Sequence, residues 1–334
     1  MAPISFAGHL KQLYTKRVDA SPPMLSTHTT AVLSVFVTLA YVLPFYLSKT
    51  TRPSPTLSRD APSVIRSRVR AVTMACAAST VFILIIVALT GEASLPEAIK
   101  LLGWWPFGIL EIVQCLLLTA ILFTGPLFER GVAENGWKSW IRGEGVSEIL
   151  QSWIGFRNFV AGPITEEIIF RSVIISLHLL AKMSAGRIVF VSPLYFGIAH
   201  VHHFYEFRLT HPDTPVAAAL LRSIFQFGYT TVFGWFAAFL YLRTGSLPAV
   251  ILVHTFCNWC GLPRLWGRVE ASVPIGPPQM RSKEDTDISP LQVAGGWLAI
   301  SWTVAYYVLL VAGAVGFYYL LWPLTESRLA LASF

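Results

Sequence analysis

Three short windows of the sequence carry six residues whose types and spacings suit hydrolytic chemistry. The first, VAGPITEEIIFRSVIISL, holds Glu166, Glu167 and Arg171. On a helix Glu167 and Arg171 are four apart, share a face and can pair. Glu166 is turned about 100° from that face and has no local cation. A carboxylate in apolar surroundings without such a partner is a poised base. The second window, FGIAHVHH, contains His200, with His202 and His203 just beyond it. The third, LPAVILVHTFCNWCG, sets His254 and Asn258 four apart on one helix face. An imidazole beside a carboxamide supplies the donor pair that an oxyanion needs. One carboxylate, one histidine to share a water and one donor pair suit hydrolysis of an amide bond. Each window also has a plainer reading. Glu166, Glu167 and Arg171 could be an ion cluster tying helices together. The histidines of the second window could be an interfacial cluster, and the function of His202 and His203 stays open. His254 and Asn258 could be interhelical hydrogen-bond glue.

The elements that position these residues must lie in a membrane. Of the 334 residues 54% are hydrophobic and only 13% charged, and the mean hydropathy is +0.59. A soluble domain carries about 25% charged residues. The composition therefore excludes a disordered chain, a disulfide scaffold and an ordinary cytosolic enzyme, and predicts an all-α, polytopic membrane protein. Eight apolar spans are expected, at Ala31–Leu47, Ala71–Leu89, Pro106–Thr124, Val160–Leu180, Arg187–His200, Pro215–Leu242, Leu247–Leu262 and Gly295–Trp322. They form one membrane-embedded domain over 1–334, with an N-terminal segment at 1–30 and catalytic core helices within 160–262. The first 27 residues lack the pattern of a cleavable signal, so the first apolar segment is expected to remain as an anchor. The fifth and seventh spans are short for a crossing of about 20 residues, and the fifth contains Pro193. Both fit best inside a bundle, where neighbours satisfy the backbone. Between spans one and two, TTRPSPTLSRDAPSVIRSRVR reads as a loop. Residues 124–159 read as interfacial helix plus loop, and Gly261–Ala294, with five prolines, as a second irregular segment.

With alternating spans, 15 Lys and Arg fall on one side and 8 on the other. The positive-inside rule puts the richer side in the cytoplasm and both termini opposite. Span four then begins, and span five ends, at the cytoplasmic face, so topology brings Glu166 and His200 to one side of the membrane. The net charge of +7 orients the chain rather than marking a nucleic-acid surface, since no basic run is interleaved with aromatics.

Rival chemistries leave weaker traces. No H-E-x-x-H occurs, although His200, His203 and His254 could by type hold a metal. Cys257 and Cys260 form a single C-x-x-C outside any βαβ pattern, and there is no G-x-S-x-G elbow. No metal and no cofactor are expected.

Glu166-Glu167-x3-Arg171, Phe196-x3-His200 and His254-x3-Asn258, in that order on separate spans, resemble the signature of the type II CAAX prenyl endopeptidases, the Ras-converting enzyme family. The resemblance runs from Glu166 to Asn258. It implies an endoplasmic reticulum protein of eight helices, with its site open to the cytosol. It implies removal of the last three residues from prenylated CAAX proteins, such as Ras-like small GTPases carrying farnesyl or geranylgeranyl groups. Glu166 and His200 would activate water, His254 and Asn258 would form the oxyanion hole, and Glu167 and Arg171 would support them. Some relatives in the wider superfamily are scaffold or immunity proteins, so a membrane scaffold that binds lipidated partners is the rival class.

Overall fold

The computed structural model describes residues 23–90, 94–269 and 291–334. These residues are 75% helical, with no strand among them. The principal helices are α1 Thr27–Val42, α2 Pro62–Thr90, α3 Ile109–Leu122, α4 Gly162–Glu167, α5 Ile174–Leu180, α6 Ala185–Ala199, α7 His202–Thr210, α8 Val216–Thr244, α9 Leu247–Cys260 and α10 Leu291–Leu320. Segment 1–30 lies outside the described residues up to residue 22, as do residues 270–290 of the expected irregular segment.

Four helices among the described residues are long and apolar enough to cross a membrane: Thr27–Phe45, Pro62–Leu89, Val216–Thr244 and Ile300–Leu320. They fall on the first, second, sixth and eighth expected spans. The third span is a pair, Ile109–Leu122 and Thr124–Ala133, bent by 80°. The fourth, fifth and seventh are shorter helices, and they carry the candidate site. One difference from the sequence reading is the start of α2. It begins at Pro62, so the last nine residues of the expected loop are helical. Proline suits the first helical position, where its missing N–H is no loss. The Arg-rich turns that follow are too polar for a span but not for a helix.

The described chain falls into two compact units. The first comprises residues up to Leu116, Ile149–Thr255 and Thr325–Phe334. Its apolar core joins Val37 and Tyr41 of α1, Cys76 of α2, Phe170 and Ile174 of the fourth span, and Phe196 of α6. Within it α6 and α8 share the most extensive helix contact. Small residues make that approach possible, as is usual between helices in lipid. A Cβ on Gly234 would stand 2.6 Å from the Pro193 Cβ, and one on Gly197 would stand 2.3 Å from the Thr231 Oγ1. Gly234→Leu is therefore expected to push α8 away from α6 and to cost about 1–3 kcal/mol, the usual range for overpacking. Thermal unfolding in detergent checks this, and an unchanged midpoint would mean that the two helices are free to separate.

The second unit comprises Leu117–Glu148 and Phe256–Leu324. Gly125 and Gly313 bring α10 close to the chain around 121–125, where a Cβ would meet Leu310 or the Ile121 carbonyl. Arg264 pairs with Glu129 at 2.6 Å, and its backbone N–H donates to the Tyr306 hydroxyl at 2.7 Å. Arg130 donates to the carbonyl of Trp259 and lies 5.6 Å from the centre of that ring.

Candidate active site

The helix of the fourth span is not regular. Two π-helical turns, Arg157–Ala161 and Ile168–Val173, flank α4. In each, a backbone N–H reaches back five residues, from Gly162 to Arg157 and from Ile174 to Ile169. Such turns concentrate at functional sites because they re-aim the side chains beside them. Here they bracket Glu166 and Glu167. Pro163 adds a second irregularity. It has no N–H to offer the carbonyl four residues back, that of Phe159. Thr255 on α9 fills the gap, its Oγ1 donating to the Phe159 carbonyl at 2.9 Å. The residue next to His254 thus ties α9 to the segment that carries the two glutamates. Thr255→Val keeps the shape and removes the donor. We expect a loss of about 1–3 kcal/mol, the cost of an unsatisfied polar group. Thermal unfolding beside the wild type measures it; equal midpoints would show that this carbonyl needs no partner.

Glu167, Arg171 and His254 form a buried polar chain. The Arg171 Nη1 donates to Glu167 Oε1 at 3.0 Å, and the His254 Nδ1–H donates to the same oxygen at 2.6 Å. The Glu167 side chain is 0% exposed and that of Arg171 2%. The pairing at i, i+4 expected from the sequence is present. The bond to His254, 87 residues away, has no local signal in the sequence. Two aromatic rings complete the setting: Phe196, which the second motif includes, and Phe233, which sequence reading passed over. The Arg171 guanidinium lies 4.6 Å from the centre of Phe196 and 5.4 Å from that of Phe233. Phe233 also packs against His254, ring centres 4.6 Å apart. A weakly hydrated guanidinium tolerates such burial because the ring faces replace part of its hydration.

Glu166 differs in exposure. Its side chain is 22% exposed, so it alone of the two carboxylates can meet water. Its Oε2 stands 3.7 Å from His254 Nε2. His254 therefore lies between the two glutamates, one at each ring nitrogen. Among the described residues no ion pair joins Glu166 to His200. His200 is reached through Phe196. The His200 Nδ1–H donates to the Phe196 carbonyl at 2.8 Å, and the two rings meet with centres 4.6 Å apart. The Phe196 ring in turn lies 6.3 Å from that of His254. A carbonyl only accepts, so Nδ1 holds the proton and Nε2 the lone pair that a base requires. Asn258 lies one turn beyond His254 on α9, in the part of the helix that belongs to the second unit. Its neighbour Trp259 is held there by Arg130 and by the Trp140 ring at 5.2 Å. Among the described residues no group of three or more His, Cys, Asp or Glu is arranged to hold a metal ion, so His200, His203 and His254 do not converge.

An all-helical chain with apolar spans and a buried set of carboxylates, imidazoles and one guanidinium is an integral membrane protein with a polar site. Residues 148–260 match the family described as type II CAAX prenyl endopeptidase, Rce1-like. The probable CAAX prenyl protease 2 of Schizosaccharomyces pombe is 37% identical over 238 residues, which cover 71% of this chain and 83% of that protein. The human CAAX prenyl protease 2 is 35% identical over 248 residues, 71% of this chain and 73% of the human one. That of Arabidopsis thaliana is 32% identical over 257 residues, 70% of this chain and 79% of the plant protein. The chain belongs to the Rce1-like family of type II CAAX prenyl endopeptidases. No solved structure gives a significant match.

Proposed function

We infer that the chain is a CAAX prenyl endopeptidase. It removes the C-terminal tripeptide from prenylated CAAX proteins, Ras-like small GTPases among them, by hydrolysing a peptide bond. The observation that carries this reading is the kinship with CAAX prenyl proteases over more than two thirds of the chain. The site chemistry supports it. Glu166 and His200 activate the water: Glu166 is the carboxylate open to solvent, and His200 presents a lone pair at Nε2. His254 and Asn258 stabilise the tetrahedral oxyanion. For His254 to donate through Nε2 while its Nδ1–H stays on Glu167, it must carry both ring protons. Glu166 and Glu167 then balance His254 and Arg171, and the four charges sum to zero. Glu167 and Arg171 act by holding that ring.

The substrate is amphipathic and so is its route. Its prenyl chain stays in lipid, where each buried CH₂ contributes about 0.8 kcal/mol, while the peptide comes from water. The bias of Lys and Arg supports a cytosolic site in a multi-pass protein, and the family resemblance supports its place in the endoplasmic reticulum membrane. Eight spans in one domain, with the catalytic core at 160–262, accord with this. The mechanism asks for no metal or cofactor, and no nucleic acid takes part.

Purified protein in liposomes, given a farnesylated CAAX peptide, is expected to release the tripeptide and to leave the unprenylated peptide intact. A geranylgeranylated peptide run alongside reads the prenyl preference. If a well-folded sample releases nothing, a scaffold that binds lipidated partners becomes the better reading.

A further inference from the structure

We propose that Glu206 is a positioning residue of the hydrolytic site, acting through His203 on His200. The inference rests on the endopeptidase reading. Glu206 lies in α7, beyond the end of the fifth span, and its side chain is only 6% exposed. Three groups converge on it. The Arg68 Nη2 donates to Oε1 at 2.9 Å, the Arg59 Nη1 stands 3.5 Å from Oε2, and the His203 Nδ1–H donates to Oε2 at 3.3 Å. Arg68 is itself fixed, its Nε donating to the Thr51 carbonyl at 2.8 Å and its guanidinium lying 5.4 Å from the centre of Phe45. Nearby, Asp60 is paired with Arg157 at 2.7 Å, so these charges form one network at this end of the helices.

To tie α7 to α2, a carboxylate needs only the two arginines. The third contact does something else. By accepting a hydrogen bond from the Nδ1–H, Glu206 fixes the tautomer and the plane of His203. The His203 ring meets His200 at 5.8 Å between centres, tilted by 61°. His203 also packs on His202 at 4.1 Å, and the His202 Nδ1–H donates to the Ala199 carbonyl at 2.5 Å. His200 is thus held by Phe196 and by His203, and His203 is held by Glu206. Burial alone would favour a neutral Glu206, but His203, Arg68 and Arg59 outweigh it and hold the carboxyl at about 2. The anchor therefore stays ionised at neutral pH.

The test is steady-state cleavage of the farnesylated peptide by the full chain, with thermal unfolding of each variant. Glu206→Leu and His203→Leu are each expected to lower kcat about 10- to 100-fold, the cost of displacing a reacting group by about 1 Å, with KM unchanged. The double variant is expected to be no slower than either single one, since the two act in series. Glu206→Gln keeps an acceptor for His203 and keeps most of kcat. If Glu206→Leu does not fold, Glu206→Gln and His203→Leu decide. An unchanged kcat in a folded His203→Leu, a loss confined to KM, or losses that multiply in the double variant would each overturn the inference. A wild type that cleaves nothing would instead sink the endopeptidase reading, and this inference with it.

Discussion

Glu166→Gln is expected to lower kcat by about 10²- to 10⁴-fold, the range that a positioned general base contributes, and to leave the fold intact. The amide has the shape of the carboxylate and can keep an oxygen near His254 Nε2, where Oε2 now stands at 3.7 Å. It cannot take a proton from water. The Glu166 side chain is partly open to solvent, and Glu167 still accepts from Arg171 and from the His254 Nδ1–H, so the fold keeps its buried contacts. Stability and activity should therefore separate: a near-normal unfolding midpoint with the chemistry gone. Cleavage of the prenylated peptide under saturating conditions measures the effect. A variant that kept a tenth or more of kcat would move the base to His200, whose Nε2 holds a lone pair while its Nδ1–H donates to Phe196.

The residues behind that prediction were legible in the sequence to different degrees. Glu166, Glu167 and Arg171 stood out because charges at membrane depth are costly and rare. Their spacing gave the Glu167–Arg171 pair outright, since i, i+4 neighbours share a helix face. What spacing could not give was which helix each glutamate would meet. His254 meets both carboxylates, and that depends on two π-helical turns and on Thr255 capping the carbonyl freed by Pro163. None of these has a periodic signal. Phe233, and the part Phe196 plays beside Arg171, were hidden for a related reason. In a chain this apolar a phenylalanine is the commonest kind of filler, and only the fold shows that two of them enclose Arg171. The long helices were easy to find from hydropathy. The short ones were found as apolar windows, but their ends were set by charge. That is why α2, whose first turns hold Arg66, Arg68 and Arg70, begins well before its apolar run.

Arg171→Met carries the second large expectation, and it concerns stability first. Removing the guanidinium leaves Glu167, 0% exposed, with His254 as the remaining donor to its Oε1. Breaking a buried ion pair from one side costs about 3–5 kcal/mol, because a charge stays buried without its counterpart. Loss of the contacts with Phe196 and Phe233 adds to this, at up to about 2 kcal/mol for a desolvated cation on a ring. Arg171→Lys should recover only part of the loss. A compact ammonium cannot lie flat between two rings and is harder to strip of water than a guanidinium. Replacing both charges, as in Glu167→Leu with Arg171→Met, should restore most of the stability, since apolar side chains of similar volume often match a buried pair. The double variant should nevertheless stay inactive, because His254 has lost the carboxylate that orients its ring and balances its charge. Unfolding midpoints of the three variants, set beside their cleavage rates, separate the two roles. If the double variant regained activity along with stability, the pair would be a structural clamp and His254 would need no carboxylate at Nδ1. If it regained stability alone, Glu167 would be bound to the chemistry through His254, to which it is joined by the 2.6 Å contact.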